Sequence, residues 1–278
     1  MVNIKSKLLC IREKNILAKN LFYVVKKISY LFPNYKLERK AKQRKNGFED
    51  AEYIKLRMLQ NRHLNDRCFI VATGPSLTFE DLSLLKNEIC FGMNSICKIL
   101  DKTDWRPTYF GIQDALVYEK LEKEIKENIK CDVFVGANLK EDFDIPDKYI
   151  VFPFNHLYHL AEIDIDKYYS LFSDNCYAMI YDGYSITYSL IQIAVYMGFK
   201  EIYLLGCDCN YPSNKQNHFV ESGFVDKYAY KNYDKMITGY KAAKKYADAH
   251  NIKIINCTRG GMLEVFPRMK LEDVLRNS

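Results

Sequence analysis

Cys68–Leu77, CFIVATGPSL, constrains the fold of this chain more than any other stretch. Phe69, Ile70, Val71 and Ala72 form an apolar run without alternation, the mark of a parallel strand covered on both faces. Thr73, Gly74, Pro75 and Ser76 end it. Gly74 has no Cβ, so a ligand or another backbone can come close, and Pro75 fixes the turn. Thr78 and Asp81 stand at the spacing of a capping box, which starts a helix carrying Leu82, Leu84 and Leu85 with its free N–H groups facing the turn. Such a helix start suits an anion, and one Gly with one Pro also suits a plain strand-to-helix turn. The absence of G-x-G-x-x-G counts against a dinucleotide fingerprint, and the absence of G-K-[ST] excludes a Walker-type loop.

From Asp66 onward, strand, turn and helix repeat. Glu88–Met93 reads as a second strand ending at Asn94 and Ser95, Pro107–Ile112 as a third ending at Gln113 and Asp114, and Cys131–Val135 as a fourth followed by Gly136, Ala137 and Asn138. Each polar residue alone reads as a turn former. Together they mark the carboxyl rim of a parallel sheet, where such sheets bind ligands. Residues 139–180 are less regular and read as an insertion or lid; His156 and His159 there lack a third ligand and are assigned to packing or surface hydrogen bonds. From Asp182, a small-residue turn leads to a helix capped by Ser185, with Ile186, Leu190, Ile193, Ala194 and Met197 inward and a stop at Gly198. The strand Glu201–Leu205 then delivers Gly206 and Asp208 to the rim. Two helix starts on one sheet predict a phosphate-bearing ligand between them. Phe224–His250 has the spacing of one helix face, and Lys253–Asn256 completes the sheet.

The chain's net charge of +6 is unevenly spread. Residues 1–60 hold 15 Lys and Arg against 5 Asp and Glu, leaving the remainder slightly acidic. At 278 residues the chain divides into a basic helical arm, residues 1–60, and one large domain, residues 61–278. The arm's helix is expected to stop at Pro33, with Lys36–Lys45 as an exposed connection. Its apolar and basic faces fit an anionic membrane surface through residues 1–45, and equally a helix packed on the domain or on a partner subunit in a homo-oligomer. Nothing in the arm has the motif context of nucleic-acid binding. No apolar run spans a bilayer or forms a signal-peptide core, which predicts a cytoplasmic chain, peripheral on the inner face of the plasma membrane where the arm meets lipid. Nine Cys without C-x-x-C pairing fit a reducing compartment, with Cys207 and Cys209 as reduced thiols.

ATGPSL, the Asn94 and Gln113-Asp114 strand ends, the G-x-S-x-T turn of Gly183, Ser185 and Thr187, and GFKEIYLLGCD together resemble bacterial CMP-sialic-acid sialyltransferases. They are equally similar to the wider superfamily of flagellar motility accessory glycosyltransferases and archaeal 6-hydroxymethylpterin diphosphokinase (MptE-like) proteins. The tail Asn256-Cys257-Thr258-Arg259-Gly260-Gly261 resembles the ending of the last branch. The resemblance covers about residues 66–275 and implies an α/β domain with a Rossmann-like, largely parallel sheet of the GT-A-variant kind. It also implies that Thr73, Gly74 and Ser76 line the nucleotide and its phosphate, that Asn94 and Gln113, beside Asp114, contact CMP or the donor sugar, and that Gly183, Ser185 and Thr187 hold nucleotide or sugar carboxylate. Asp208 matches the family's acidic strand end, His218 its base, and Tyr211 a tyrosine near the leaving phosphate. Thr73 and Gln113 stand where the sialyltransferases have Asn.

The chemistry agrees with that assignment. Transfer from a nucleotide sugar needs a base near pH 7, which an imidazole supplies, and donors for the departing phosphate, which helix N–H groups, hydroxyls and Tyr211 supply. The expected activity is transfer of a sialic-acid-like sugar from a CMP donor to a glycan or lipid-linked acceptor, with no metal or other cofactor required. A pterin-type diphosphokinase using Mg-ATP, with Asp114 and Asp208 facing the metal, is the alternative, as is a noncatalytic nucleotide-binding protein on the same fold.

Overall fold

The computed structural model describes residues 16–161, 168–210, 219–220 and 232–276. Its apolar runs pair into one seven-stranded sheet in the order β5-β4-β3-β2-β1-β8-β9, every pairing parallel. The strands are β1 (Arg67–Val71), β2 (Cys90–Met93), β3 (Tyr109–Ile112), β4 (Asp132–Gly136), β5 (Ile150–Phe152), β8 (Glu201–Leu205) and β9 (Lys253–Asn256). Between β5 and β8 a separate two-stranded ladder forms from β6 (Phe154–Asn155) and β7 (Ile180–Tyr181). This is the Rossmann-like sheet that the continuous apolar runs predict, because strands covered on both faces need no polar alternation.

Successive residues of β1 feed opposite cores. Cys68 and Ile70 face one apolar cluster, and Phe69 and Val71 face the other. The helices α3 (Phe79–Leu84), α4 (Ala115–Asn128) and α8 (Leu271–Arg276) cover the second face through Leu82, Leu121, Ile125 and Val274. The first face is covered by α6 (Ile186–Tyr196), α7 (Asn232–Ala249) and the single turn α2 (Ile54–Arg57), through Leu190, Ile193, Met236, Ala243 and Leu56. The capping box predicted at Thr78 is present, with Asp81 N–H donating to Thr78 Oγ1 at 3.2 Å and Thr78 N–H to Asp81 Oδ2 at 2.9 Å.

The arm departs from its sequence reading. Helix α1 runs Ile16–Lys45 through Pro33, so Pro33 does not end it and Lys36–Lys45 is helix rather than connection. Proline removes one ladder bond and crowds the preceding turn, at a cost of ~3 kcal/mol in a helix interior. Contacts with the domain offset that cost. Asn34, Glu38, Ala41 and Arg44 share one face, and Asn155 Nδ2 donates to Asn34 Oδ1 at 2.8 Å and to Glu38 Oε1 at 2.9 Å. Tyr181 OH donates to Glu38 Oε2 at 2.9 Å, and Arg44 donates twice to Ala178 O, at 2.7 and 3.0 Å. All of these partners lie in 139–180 or at its edge. Within that span, read from sequence as an insertion or lid, Ile150–Phe152 forms the edge strand of the main sheet and the single turn α5 is Tyr158–Ala161. Residues 1–15 of the arm and 162–167 of the span lie outside the described residues.

Candidate functional site

The strand order reverses direction between β1 and β8, and the residues just past their carboxyl ends meet there. Ala72 N–H donates to Leu205 O and Gly74 N–H to Gly206 O, both at 2.8 Å. A Cβ on Gly74 would collide with Asp208 Oδ2 and Gly206 O, so only glycine allows the two turns to interlock. Asp208 then lies under the β1 turn, 8% exposed, and Ser76 Oγ donates to its Oδ2 at 2.7 Å. Burial raises the Asp208 pKa above the usual carboxylate value, against the donation from Ser76 that lowers it. Such a perturbed carboxylate in a cleft at a topological switch point is a functional-site signature.

A cleft opens over this point, lined among others by Thr73, Gly74, Asn94, Ser185, Thr187 and Asp208. Asn94 takes φ +48°, a left-handed conformation that asparagine tolerates, and its Oδ1 is buried without a hydrogen-bond partner. Ser185 caps α6, accepting from Thr187 N–H at 3.2 Å, while Thr187 Oγ1 donates to Met93 Sδ at 3.4 Å. Asn210, Cys207 and Cys209 complete the strand-end wall, and Met236 and Tyr240 of α7 close the far side. Burial pushes the Cys209 thiol up to about 12 and holds Cys207 well above its ordinary value, which fits both as protonated packing groups.

Four sequence-predicted residues lie outside this lining: Ser76, which reaches it only through its bond to Asp208, and Asp114, Gly183 and Gln113. Asp114 spends its Oδ1 on capping α4, accepting from Val117 N–H at 3.0 Å. Gly183 admits the Tyr188 ring against its Cα. Gln113, 8% exposed, donates Nε2 toward Asp182 Oδ1 at 3.4 Å and leaves Oε1 buried without a partner. Asp114 and Asp208, the carboxylates that a Mg-ATP reading turns toward metal, therefore do not share the cleft. Among the described residues no group of three His, Cys, Asp or Glu could hold a metal ion. Tyr211 and His218 lie outside the described residues. The chain directly after His218 is nevertheless tied to the cleft, since Phe219 N–H donates to Thr73 O at 2.6 Å and Ser95 Oγ donates to Val220 O.

Sequence reasoning did not anticipate a polar cluster beside Gln113. Asp182 Oδ2 lies 3.4 Å from His159 Nε2, and His159 Nδ1 lies 2.7 Å from Tyr169 O while its ring stacks on Tyr184 at 4.0 Å. His156 stands near the same carboxylate, with burial lowering its pKa and Asp182 pulling the other way. The i, i+3 spacing of His156 and His159 was visible in the sequence; their common acid, 23 residues beyond His159, was not. The tail motif also acquires a role. Cys207 N–H donates to Thr258 Oγ1 and Thr258 N–H to Asn256 Oδ1, both at 3.0 Å, and Met262 N–H donates to Asp208 O at 2.7 Å. Gly261, at φ +71°, lies so close to the Asp208 backbone that a Cβ would come within 2.7 Å of its carbonyl oxygen.

Similar solved structures include the MAf glycosyltransferase from Magnetospirillum magneticum AMB-1, at 16% identity and a TM-score of 0.46, over 78% of this chain and 37% of that one. This chain therefore spans little more than a third of that protein's length. The sialyltransferase CstII from Campylobacter jejuni, solved with the substrate analogue CMP-3FNeuAc, is similar at 16% identity and a TM-score of 0.45, over 73% of this chain and 86% of that one. Its structure with cytidine-5'-monophosphate matches at 18% identity and a TM-score of 0.44, over 74% and 85%. No curated protein matches the sequence. Residues 38–214, from Glu38 near the end of α1 through the β1–β8 switch point, match the family described as 6-hydroxymethylpterin diphosphokinase MptE-like, and the chain belongs to that MptE-like family.

Proposed function

We propose that the chain is a glycosyltransferase that moves a sialic-acid-like or related sugar from a CMP-activated donor to a cell-surface glycan or lipid-linked acceptor. The observation that carries this reading is the cleft at the β1–β8 switch point, where the capped start of α6, the Thr73–Gly74 turn and Asn94 surround Asp208. Helix N–H groups, hydroxyls and a carboxamide suit the one phosphate and the polyol of a CMP sugar, and they do so without a metal. His218 is the base in this reading. The bond from Phe219 N–H to Thr73 O supports it, because the residue after His218 is anchored on the cleft turn. Tyr211 would donate to the leaving phosphate, and Ser76, which donates to Asp208, would line the nucleotide and its phosphate with Thr73 and Gly74.

The family description itself favours a second reading, a diphosphokinase using Mg-ATP. Thermal stabilisation by CMP and by ATP, each with and without Mg²⁺, separates the two, because a ligand that binds only the folded chain raises the melting temperature. The proposal expects CMP to stabilise without metal, and His218→Ala to keep that stabilisation while losing donor turnover by ~100-fold or more. Stabilisation by ATP only with Mg²⁺ selects the diphosphokinase. CMP stabilisation with no turnover of any CMP sugar makes the chain a noncatalytic nucleotide-binding protein.

A further inference from the structure

Helix α1 has two faces of opposite character. The face holding Asn34, Glu38, Ala41 and Arg44 is docked on the domain. The other carries Val24, Val25, Ile28, Leu31, Phe32 and Tyr35 at i, i+1, i+4, i+7, i+8 and i+11, one continuous helical stripe, and these side chains are 44–65% exposed. Six large apolar groups on one uncovered face exceed the scattered exposure of an ordinary surface and mark a docking surface.

Charge identifies what docks there. The same face continues into exposed Lys36, Arg39 and Lys42, and Lys36 Nζ lies 4.5 Å over the Phe32 ring, at the junction of the apolar and basic halves. The only acid in Ile16–Lys45 is Glu38, which is turned inward onto Asn155 and Tyr181. A surface that is apolar along one half and mainly cationic along the other complements a bilayer interface with anionic headgroups, where the apolar stripe enters the acyl boundary and the cations meet phosphate. Among the described residues no helix is long and apolar enough to cross a membrane, so the helix would lie in the interface plane.

We infer that Val24–Lys42 is a lipid-docking surface for an anionic bilayer, and that it sets the orientation of the catalytic rim. Glu38 accepts from Tyr181 OH, and Tyr181 leads through Asp182 into the turn that Ser185 ends at the cleft. The inference deepens the proposed transfer by giving the lipid-linked acceptor its side of approach, and it rests on that reading for the acceptor alone.

The test is sedimentation of the full chain with phosphatidylcholine vesicles, and with vesicles mixed with phosphatidylglycerol, alongside sedimentation velocity without lipid. No donor is present, so the outcome is independent of the CMP stabilisation assay. Binding is expected on the mixed vesicles only, weakening as salt rises, with Lys36→Gln and Arg39→Gln each reducing it about fivefold. Ile28→Asp and Phe32→Asp are expected to release the chain with unchanged circular dichroism, since both side chains are exposed. Failure to bind anionic vesicles, or equal binding to both compositions, would overturn the inference. So would a lipid-free dimer that Phe32→Asp converts to monomer, which would make a second copy the occupant of this face. Should an aspartate variant fail to fold, the two glutamine variants and the salt series still decide.

Discussion

Asp208 holds a buried carboxylate against the cost of its own ionisation. Burial raises its pKa and Ser76 only partly counters this, so the folded chain binds the Asp208 proton more tightly than the unfolded one does. A raised folded-state value means that the contribution to stability is full below the unfolded value, about 3.9, and is lost as pH rises through the folded value. Asp208→Asn should therefore melt higher than the parent at pH 7, with the difference closing as pH falls below the ordinary carboxylate range, while the proposed CMP-sugar turnover falls. Melting curves across pH check the sign. A variant that melts lower at neutral pH would mean that the ionised group is stabilised beyond what Ser76 provides. Residue-level reading placed Asp208 at the sheet rim because a strand ending at Gly206 and Asp208 is a local pattern; it could not find the interlock that makes Gly74 obligatory, which needs Gly206 and Asp208 brought across from β8.

At the scale of the element, α1 shows what a helix keeps when its own sequence argues for stopping. Glu38 accepts from Asn155 and Tyr181, and Asn155 is fully buried. Glu38→Ala leaves these donors short of a partner, which should cost ~1–3 kcal/mol and loosen the helix beyond Pro33. Hydrogen exchange across 34–45 and 155–181 should rise together, with the β1–β4 amides unaffected. Exchange rising uniformly over the whole chain would contradict a local docking role. The same element explains why a boundary at residue 60 is hard to read in sequence. The basic composition changes there, but the contacts that join arm to domain link residues more than a hundred positions apart, as Arg44 does with Ala178.

At the scale of the molecule, the chain's end braces the site built near its beginning. Asn256, 1% exposed, donates Nδ2 to Leu263 O at 2.8 Å and accepts from Thr258 N–H, and Thr258 in turn receives Cys207 N–H. Arg259 reaches Asp81, binding the tail to the capped start of α3. Asn256→Ala should leave two buried backbone groups unpaired, at ~1–3 kcal/mol each, and weaken the proposed CMP stabilisation by more than the loss of melting temperature alone accounts for. Asn256→Asp, which can still accept from Thr258 but cannot donate to Leu263, should fall between the two. Equal CMP shifts in all three proteins would show that the brace supports the fold and not the cleft.

By itself the sequence determined what is decided over a few neighbouring residues. The apolar runs Phe69–Ala72 and Glu201–Leu205, the caps at Thr78 and Ser185, and the polar ends Asn94 and Asp208 all follow from side-chain type at short spacing, because strand burial and helix capping are satisfied locally. Only the tertiary structure decided that α1 continues past Pro33, that Ile150–Phe152 joins the main sheet, that Asp114 caps a helix away from the cleft, and that one face of α1 stays uncovered. Each depends on which distant segment supplies the missing partner or covers the apolar surface, and that choice belongs to the packed chain as a whole.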